Sequence, residues 1–314
     1  MKRRVYKLQK PKALKKGSRI EIVSPSSPAE TAAIAAGMEE LRRLGFVVGE
    51  PPVMHAQGYF ADGHKGRFEQ FCKAVQNSNV DGVVATRGGY GANYLIDFPL
   101  AKQLKEQKCI VGFSDLNILQ LLMLETRGWA GFYGPMVAAG FNHGAGQPSG
   151  YDMTSFLQAV SETKRKWNIP LRGTALVSGS ASGRIAGGCL TMLQTTIGTD
   201  FQINAKGAIL LLEDRGVKPY QVDRMLRHLF QAGIFAGVTG IVLGDFPDCD
   251  PPVAGSPIVP EICVEVLGPL KVPIVYGAPV GHTKRPMLTV PLGVQAKLVA
   301  KVEGTLEILE PAVE

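Results

Sequence analysis

The sequence predicts an α/β protein built on a parallel sheet covered on both faces, and three observations carry that expectation. Short apolar runs alternate with helix-spaced runs through the first half of the chain, the order that βαβ units require. Hydrophobic residues make up 45% of the chain and charged residues 19%, so a real core can form. A length of 314 residues, at roughly 150 per domain, gives two domains.

Arg19 to Val23 (RIEIV) reads as the first strand. Ser27-Pro28-Ala29-Glu30 then reads as a capping box with proline at the first helical position. Ile34, Met38, Leu41 and Leu44 continue at helical spacing until Gly45 ends the helix. Phe46 to Val48 predicts a strand, Gly66 to Val75 a helix, Val80 to Ala85 a strand, Cys109 to Phe113 a strand, and Leu116 to Thr126 a helix. Gly140 to Gly150 (GFNHGAGQPSG) predicts a linker or long loop. A second block starts near Leu171. It holds a helix from about Gly188 to Ile197, a strand Ala208 to Leu212, a helix Tyr220 to Phe230 and a strand Gly240 to Leu243. Short strands follow at Ile274 to Tyr276, Leu288 to Val290, Ala296 to Val302 and Leu306 to Leu309. The resulting division is a basic leader over 1–17, an N-terminal domain over 18–140, a linker over 141–170 and a C-terminal domain over 171–314.

The net charge of +7 is local. Eight Lys and Arg residues fall in Met1 to Gly17, which has no acid, and the remaining chain is close to neutral. The basicity therefore marks a solvated, frayed terminus rather than a nucleic-acid or lipid-binding face. Pro11 to Gly17 is polar where a secretory signal needs an apolar region, and no apolar stretch is long enough for a membrane helix. The five cysteines are scattered without a C-x-x-C pair, which argues against a disulfide framework and a zinc site and fits a reducing cytosol.

Three apolar strands end in polar residues, and in open α/β sheets ligands bind beyond the carboxyl ends of the strands. Ser114 follows Cys109 to Phe113, Glu213 follows Ala208 to Leu212, and His282 follows Ile274 to Tyr276 after a short glycine-bounded turn. A serine hydroxyl becomes a nucleophile when an imidazole takes its proton and a carboxylate fixes the imidazole tautomer. Each residue also has a plainer reading: Ser114 or Asp115 as a helix cap, Glu213 as a loop acid, His282 as a loop histidine. The order Ser, Glu, His occurs in α/β-hydrolases, but Gly112-Phe113-Ser114-Asp115-Leu116 lacks the second glycine of G-x-S-x-G. No phosphate-binding glycine motif is present. Ala85-Thr86-Arg87-Gly88-Gly89-Tyr90-Gly91 follows another strand on the same rim. Its glycines allow a close ligand approach and Arg87 could pair with a carboxylate, or the segment is simply a tight loop.

Taken together, these segments resemble the LD-carboxypeptidase family of serine peptidases, which includes the microcin C immunity peptidases. The resemblance runs from roughly Gly17 to Leu309. It rests on Ile22-Val23-Ser24-Pro25-Ser26-Ser27, the Ala85 to Gly91 segment, Gly112-Phe113-Ser114-Asp115, Gly134-Pro135-Met136, Gly187-Gly188, Leu212-Glu213-Asp214, and Gly281-His282 with Pro291-Leu292-Gly293. It implies an N-terminal α/β domain carrying the serine, a smaller C-terminal α/β domain carrying Glu and His, and an active site between them. The implied triad is Ser114, Glu213 and His282, with no metal and no cofactor. The implied oxyanion donors are the backbone N–H groups of Asp115 and Gly89, and Arg87, Gly88 and Tyr90 are expected to contact substrate. The implied activity is removal of terminal D-alanine from a murein tetrapeptide at an L-to-D bond, by a cytoplasmic and often dimeric enzyme with no nucleic-acid or membrane partner. The alternative is a microcin-type peptidase acting on a peptidyl or aminoacyl nucleotide, and a non-catalytic cell-wall peptide binder ranks below both. Thr195 to Gly207 is short and has Phe201 as its only aromatic residue, which favours the murein peptide over a nucleotide. Cys189 departs from the Gly-Gly-Asn-Leu of many members.

Overall fold

The computed structural model describes residues 6–314. The first sheet has six strands in the order β12-β5-β4-β3-β1-β2. They are β1 (Arg19–Val23), β2 (Val47–Val48), β3 (Gly82–Ala85), β4 (Cys109–Gly112), β5 (Gly131–Tyr133) and β12 (Val290–Leu292). β1 to β5 are parallel, and β12 pairs antiparallel with β5. Four helices accompany them: α1 (Thr31–Arg43), α2 (His64–Gln76), α3 (Leu100–Gln103) and α4 (Asn117–Arg127). Every residue of β3 and β4 is buried, as continuous apolar strands between two helical layers should be.

The second sheet has eight strands in the order β6-β14-β13-β8-β9-β10-β11-β7. They are β6 (Trp167–Pro170), β7 (Thr174–Val177), β8 (Gly179–Cys189), β9 (Ala208–Glu213), β10 (Gly240–Gly244), β11 (Ile274–Ala278), β13 (Gln295–Ala300) and β14 (Thr305–Ile308). Its centre, β8 to β11, is parallel and its flanks are antiparallel. The remaining helices are α5 (Met153–Ser161), α6 (Leu190–Thr195), α7 (Pro219–Gln231) and α8 (Val259–Leu267).

Four departures from the sequence reading each have a physical reason. First, α1 starts at Thr31, with no side-chain cap at Glu30. Ser27 serves the glycine loop instead: its Oγ accepts the Tyr90 N–H at 3.0 Å and its N–H reaches Gly88 O at 3.3 Å. Second, residues 141–170, read as a linker, contain α5 and β6, with Asp152 capping α5 through the Ser155 N–H at 2.8 Å. Third, the segment read as a frayed terminus is docked from Gln9 onward. Gln9 N–H bonds Gly128 O at 2.8 Å, Ala13 and Pro11 exchange bonds with the backbone of Glu314, Lys10 pairs with Glu310 at 2.7 Å, and Leu14 is buried. Met1 to Val5 of that segment lie outside the described residues. Fourth, the strand read near Leu288 to Val290 leaves its own block and forms the edge of the first sheet as β12.

Candidate active site

The rim that carries Ser114 is made by backbone geometry. β4 ends at Gly112, Phe113 is extended, and Ser114 opens a 3₁₀ turn that runs into α4. Ser114 has φ +61°, a left-handed conformation that costs a non-glycine residue roughly 1–3 kcal/mol. This strand-turn-helix bend holds the side chain at the rim, and neither Ser114 nor Asp115 is spent on a cap. Asp115 is buried and its carboxylate accepts the Ala92 N–H at 2.7 Å. Burial pushes that carboxyl above the usual carboxylate range, against the hydrogen bonds that pull it down.

The loop after β3 lies directly against the serine. A Cβ on Gly88 would sit 2.8 Å from Ser114 Cβ and 2.9 Å from its Oγ, so only glycine allows this approach. Arg87 is exposed and lines the cleft. Among the described residues, neither the Gly89 nor the Asp115 N–H is used in another hydrogen bond, and both residues line the cleft. Tyr90 does not line it. Its ring, 44% exposed, packs with Phe60, Tyr59 and Tyr94 instead, and its backbone N–H is held by Ser27 Oγ. The loop is braced from below by Arg67, which is fully buried and donates to Pro25 O, to Gly91 O at 2.8 Å and to Asp62 O at 3.0 Å.

On the opposite rim, Glu213 ends β9 with no exposed surface. Its Oε2 accepts the His282 backbone N–H at 2.9 Å and lies 2.9 Å from His282 Nδ1. Its Oε1 accepts the Tyr133 O–H at 2.5 Å. This arrangement assigns the proton to Nδ1 and leaves Nε2 free to act as a base. Gly281, with φ +61°, makes the approach feasible, since a Cβ there would lie 2.5 Å from Glu213 Cδ. Burial alone would lower the His282 pKa, but the charge and hydrogen bond of Glu213 outweigh it and hold the imidazole above its ordinary range. Phe113 stands edge-on to the imidazole, ring centroids 5.0 Å apart. The His282 loop is tied down by Thr283 and Arg285, both bonded to Asp245.

Ser114 and His282 line one cleft of about 770 Å³, together with Arg87, Gly88 and Gly89. Among the described residues the two are not directly hydrogen-bonded. Cys189, at the end of β8, keeps its backbone N–H on Asn117 Oδ1 at 3.1 Å. Burial, and then the charges of Asp214 and Glu213, hold its thiol protonated. Among the described residues no three His, Cys, Asp or Glu side chains cluster as a metal site, and no helix is long and apolar enough to cross a membrane.

Residues 20–134 match the LD-carboxypeptidase N-terminal domain, and residues 182–298 match the LD-carboxypeptidase C-terminal domain. The chain belongs to the LD-carboxypeptidase family. A Bacillus subtilis relative, "Probable murein peptide carboxypeptidase", is 30% identical over 92% of this chain and 91% of its own. The Escherichia coli "Microcin C7 self-immunity protein MccF" is 29% identical over 89% of this chain and 90% of its own. The crystal structure of a muramoyltetrapeptide carboxypeptidase from Oxalobacter formigenes superposes with a TM-score of 0.81 at 28% identity, covering 94% of this chain and 99% of that one. The mixed α/β fold with two sheets is thus the LD-carboxypeptidase fold, although the second sheet has more strands than the first.

Sequence reasoning did not find Tyr133, Arg67 or Asp245. The sequence reading assigns no strand to the short run that ends at Tyr133, and Arg67 falls in a segment read only as a helix. The signal available for Tyr133 was its place at the carboxyl end of a strand beside Gly134-Pro135, the same kind of position that singled out Ser114.

Proposed function

We propose that this protein is a serine carboxypeptidase that hydrolyses an L-to-D peptide bond and releases terminal D-alanine from a murein tetrapeptide, with Ser114, His282 and Glu213 as its triad. The observation that carries the reading is the buried Glu213–His282 pair facing, across one cleft, a serine held in a left-handed backbone conformation. In the proposed reaction His282 Nε2 takes the Ser114 proton while Glu213 holds the ring. Ser114 Oγ attacks the carbonyl carbon of the penultimate residue. The N–H groups of Asp115 and Gly89 receive the developing oxyanion, an interaction worth about 2.7–4 kcal/mol per donor in a studied protease. The amine of D-alanine leaves with the proton carried by His282, and water, deprotonated by the same imidazole, cleaves the acyl-enzyme.

Arg87, exposed on the rim beside the serine, is the proposed partner of the substrate's terminal carboxylate. The nucleotide-directed alternative is less well supported: among the described residues Phe113 is the only Phe, Tyr or Trp lining the cleft, and it is 4% exposed, so it offers little open ring to stack a base. The proposed setting is cytoplasmic, with a small peptide as partner and a homodimer as the assembly. Incubation with a murein tetrapeptide, followed by mass spectrometry, should show loss of one alanine. An intact tetrapeptide alongside cleavage of an aminoacyl-sulfamoyl nucleoside would replace this reading with its alternative.

A further inference from the structure

Tyr133 stands at the carboxyl end of β5, next to the nucleophile strand, and has no exposed surface. A phenol so deeply buried is costly unless its oxygen is bonded on both sides, and here it is. The O–H donates to Glu213 Oε1 at 2.5 Å, and the oxygen accepts the Ser114 N–H at 3.4 Å. Its ring packs against Phe113, which in turn packs against His282. One side chain therefore touches a group from each sheet. The two groups it joins are the backbone of the strained serine and the carboxylate that holds the imidazole. Burial, and then the neighbouring Glu213 charge, hold the phenol protonated far beyond its ordinary range, so it is a donor at every working pH.

We infer that Tyr133 is a positioning residue of the reaction: it fixes the nucleophile's backbone relative to Glu213 and, by donating to that carboxylate, tempers the basicity of His282. This inference rests on the triad proposed above. The phenol keeps its proton throughout. Its hydrogen bond draws charge out of Glu213 Oε1 and so weakens the pull of Glu213 on the imidazolium. A purely space-filling tyrosine would need only its ring, which phenylalanine supplies.

The test compares wild type, Tyr133→Phe, and a protein with a ring-fluorinated tyrosine at 133, whose phenol is a stronger donor. Two readouts need no peptide substrate: the rate at which a serine-directed phosphonate labels Ser114, and the titration of the His282 imidazole by NMR. In Tyr133→Phe the labelling should slow about tenfold to a hundredfold, the worth of one hydrogen bond to a charged group. The His282 titration should move up by roughly half a pH unit, because Glu213 then keeps its full charge. The fluorinated protein should move the titration down. An unmoved His282 titration in both proteins, with labelling within about twofold of wild type, would overturn the inference. If Tyr133→Phe does not fold, the isosteric fluorinated protein decides alone. The function reading fails separately. Wild type that labels at Ser114 but leaves the tetrapeptide intact has lost only the substrate assignment, and wild type that does not label has lost the triad while the His282 titration still reports on Tyr133.

Discussion

Ser114 leaves the first sheet through a left-handed backbone pressed against a glycine, whereas Glu213 leaves the second sheet fully buried with both carboxylate oxygens engaged. The first rim spends conformational energy to present a group, and the second spends desolvation to hold a charge. The glycines differ accordingly. Gly88 clears space for a hydroxyl to be used, while Gly281 clears space for a hydrogen bond that is already made. A reaction needing both a reachable nucleophile and a tuned base gains from separating the two tasks between two sheets.

The largest expected effect comes from removing the proposed nucleophile. Ser114→Ala should lower kcat on the tetrapeptide by roughly 10⁵-fold or more, and adding His282→Ala should cost little beyond that, since triad members act as a unit. A single variant that keeps more than about a tenth of the wild-type rate would break the proposed division at its first rim.

Next comes the charge on the second rim. Glu213→Gln should cost about 10³–10⁴ in kcat, the scale of the equivalent change in a studied serine protease. It should also shift the pH profile in a set direction. Glu213 raises the His282 pKa above that of an ordinary imidazole, and the neutral ring is the proposed base, so wild-type kcat/KM should rise with pH through a midpoint above the ordinary histidine range. Without that charge burial dominates, and the acid limb should move to lower pH. A limb that stays put would mean that another group titrates in the profile.

The two glycines should separate by observable. In Gly88→Ala a methyl group would press on Ser114 and reduce kcat about 10²-fold, the cost of a displacement near 1 Å, with little change in thermal stability. Gly281→Ala meets both the buried Glu213 and a positive φ, so it should lower Tm by several degrees, equivalent to about 1–3 kcal/mol. Equal Tm losses in the two variants would erase the distinction between the rims.

The smallest effect is expected at Arg87. Arg87→Lys and Arg87→Ala should each lose about tenfold in kcat/KM on a peptide acid while hardly changing the slow rate on its C-terminal amide. Equal proportional losses on the two substrates would assign Arg87 to support of the glycine loop.

The legible parts of the molecule were those where one strand carries the whole signal. β1, β3, β4, β9 and β10 are short apolar runs between turn residues, and Ser114, Glu213 and His282 stand at or just beyond such runs. β8 was not legible as a strand: Gly179 to Gly188 is rich in glycine and serine, residues depleted in strands, and pairing on both sides overrides that preference. α8 was missed as well, behind a proline-rich loop. Ser27-Pro28-Ala29-Glu30 has the composition of a capping box, but a loop distant in sequence takes the serine first. Tyr133 and Arg67 matter through contacts with residues far along the chain, and periodicity carries no trace of those.

Strand β12 has a consequence for recombination within the family. Residues 290–292 come from the part of the chain that carries His282, yet they close the edge of the sheet that carries Ser114. An isolated first half would leave β5 with an open hydrogen-bonding edge beside the strand that leads to Ser114, the kind of edge that recruits other chains. The halves are therefore not interchangeable cassettes. A chimaera joined anywhere in 141–170 receives its donor's β12 along with its donor's histidine, so an exchange of His282 also refits the border of the sheet that carries Ser114.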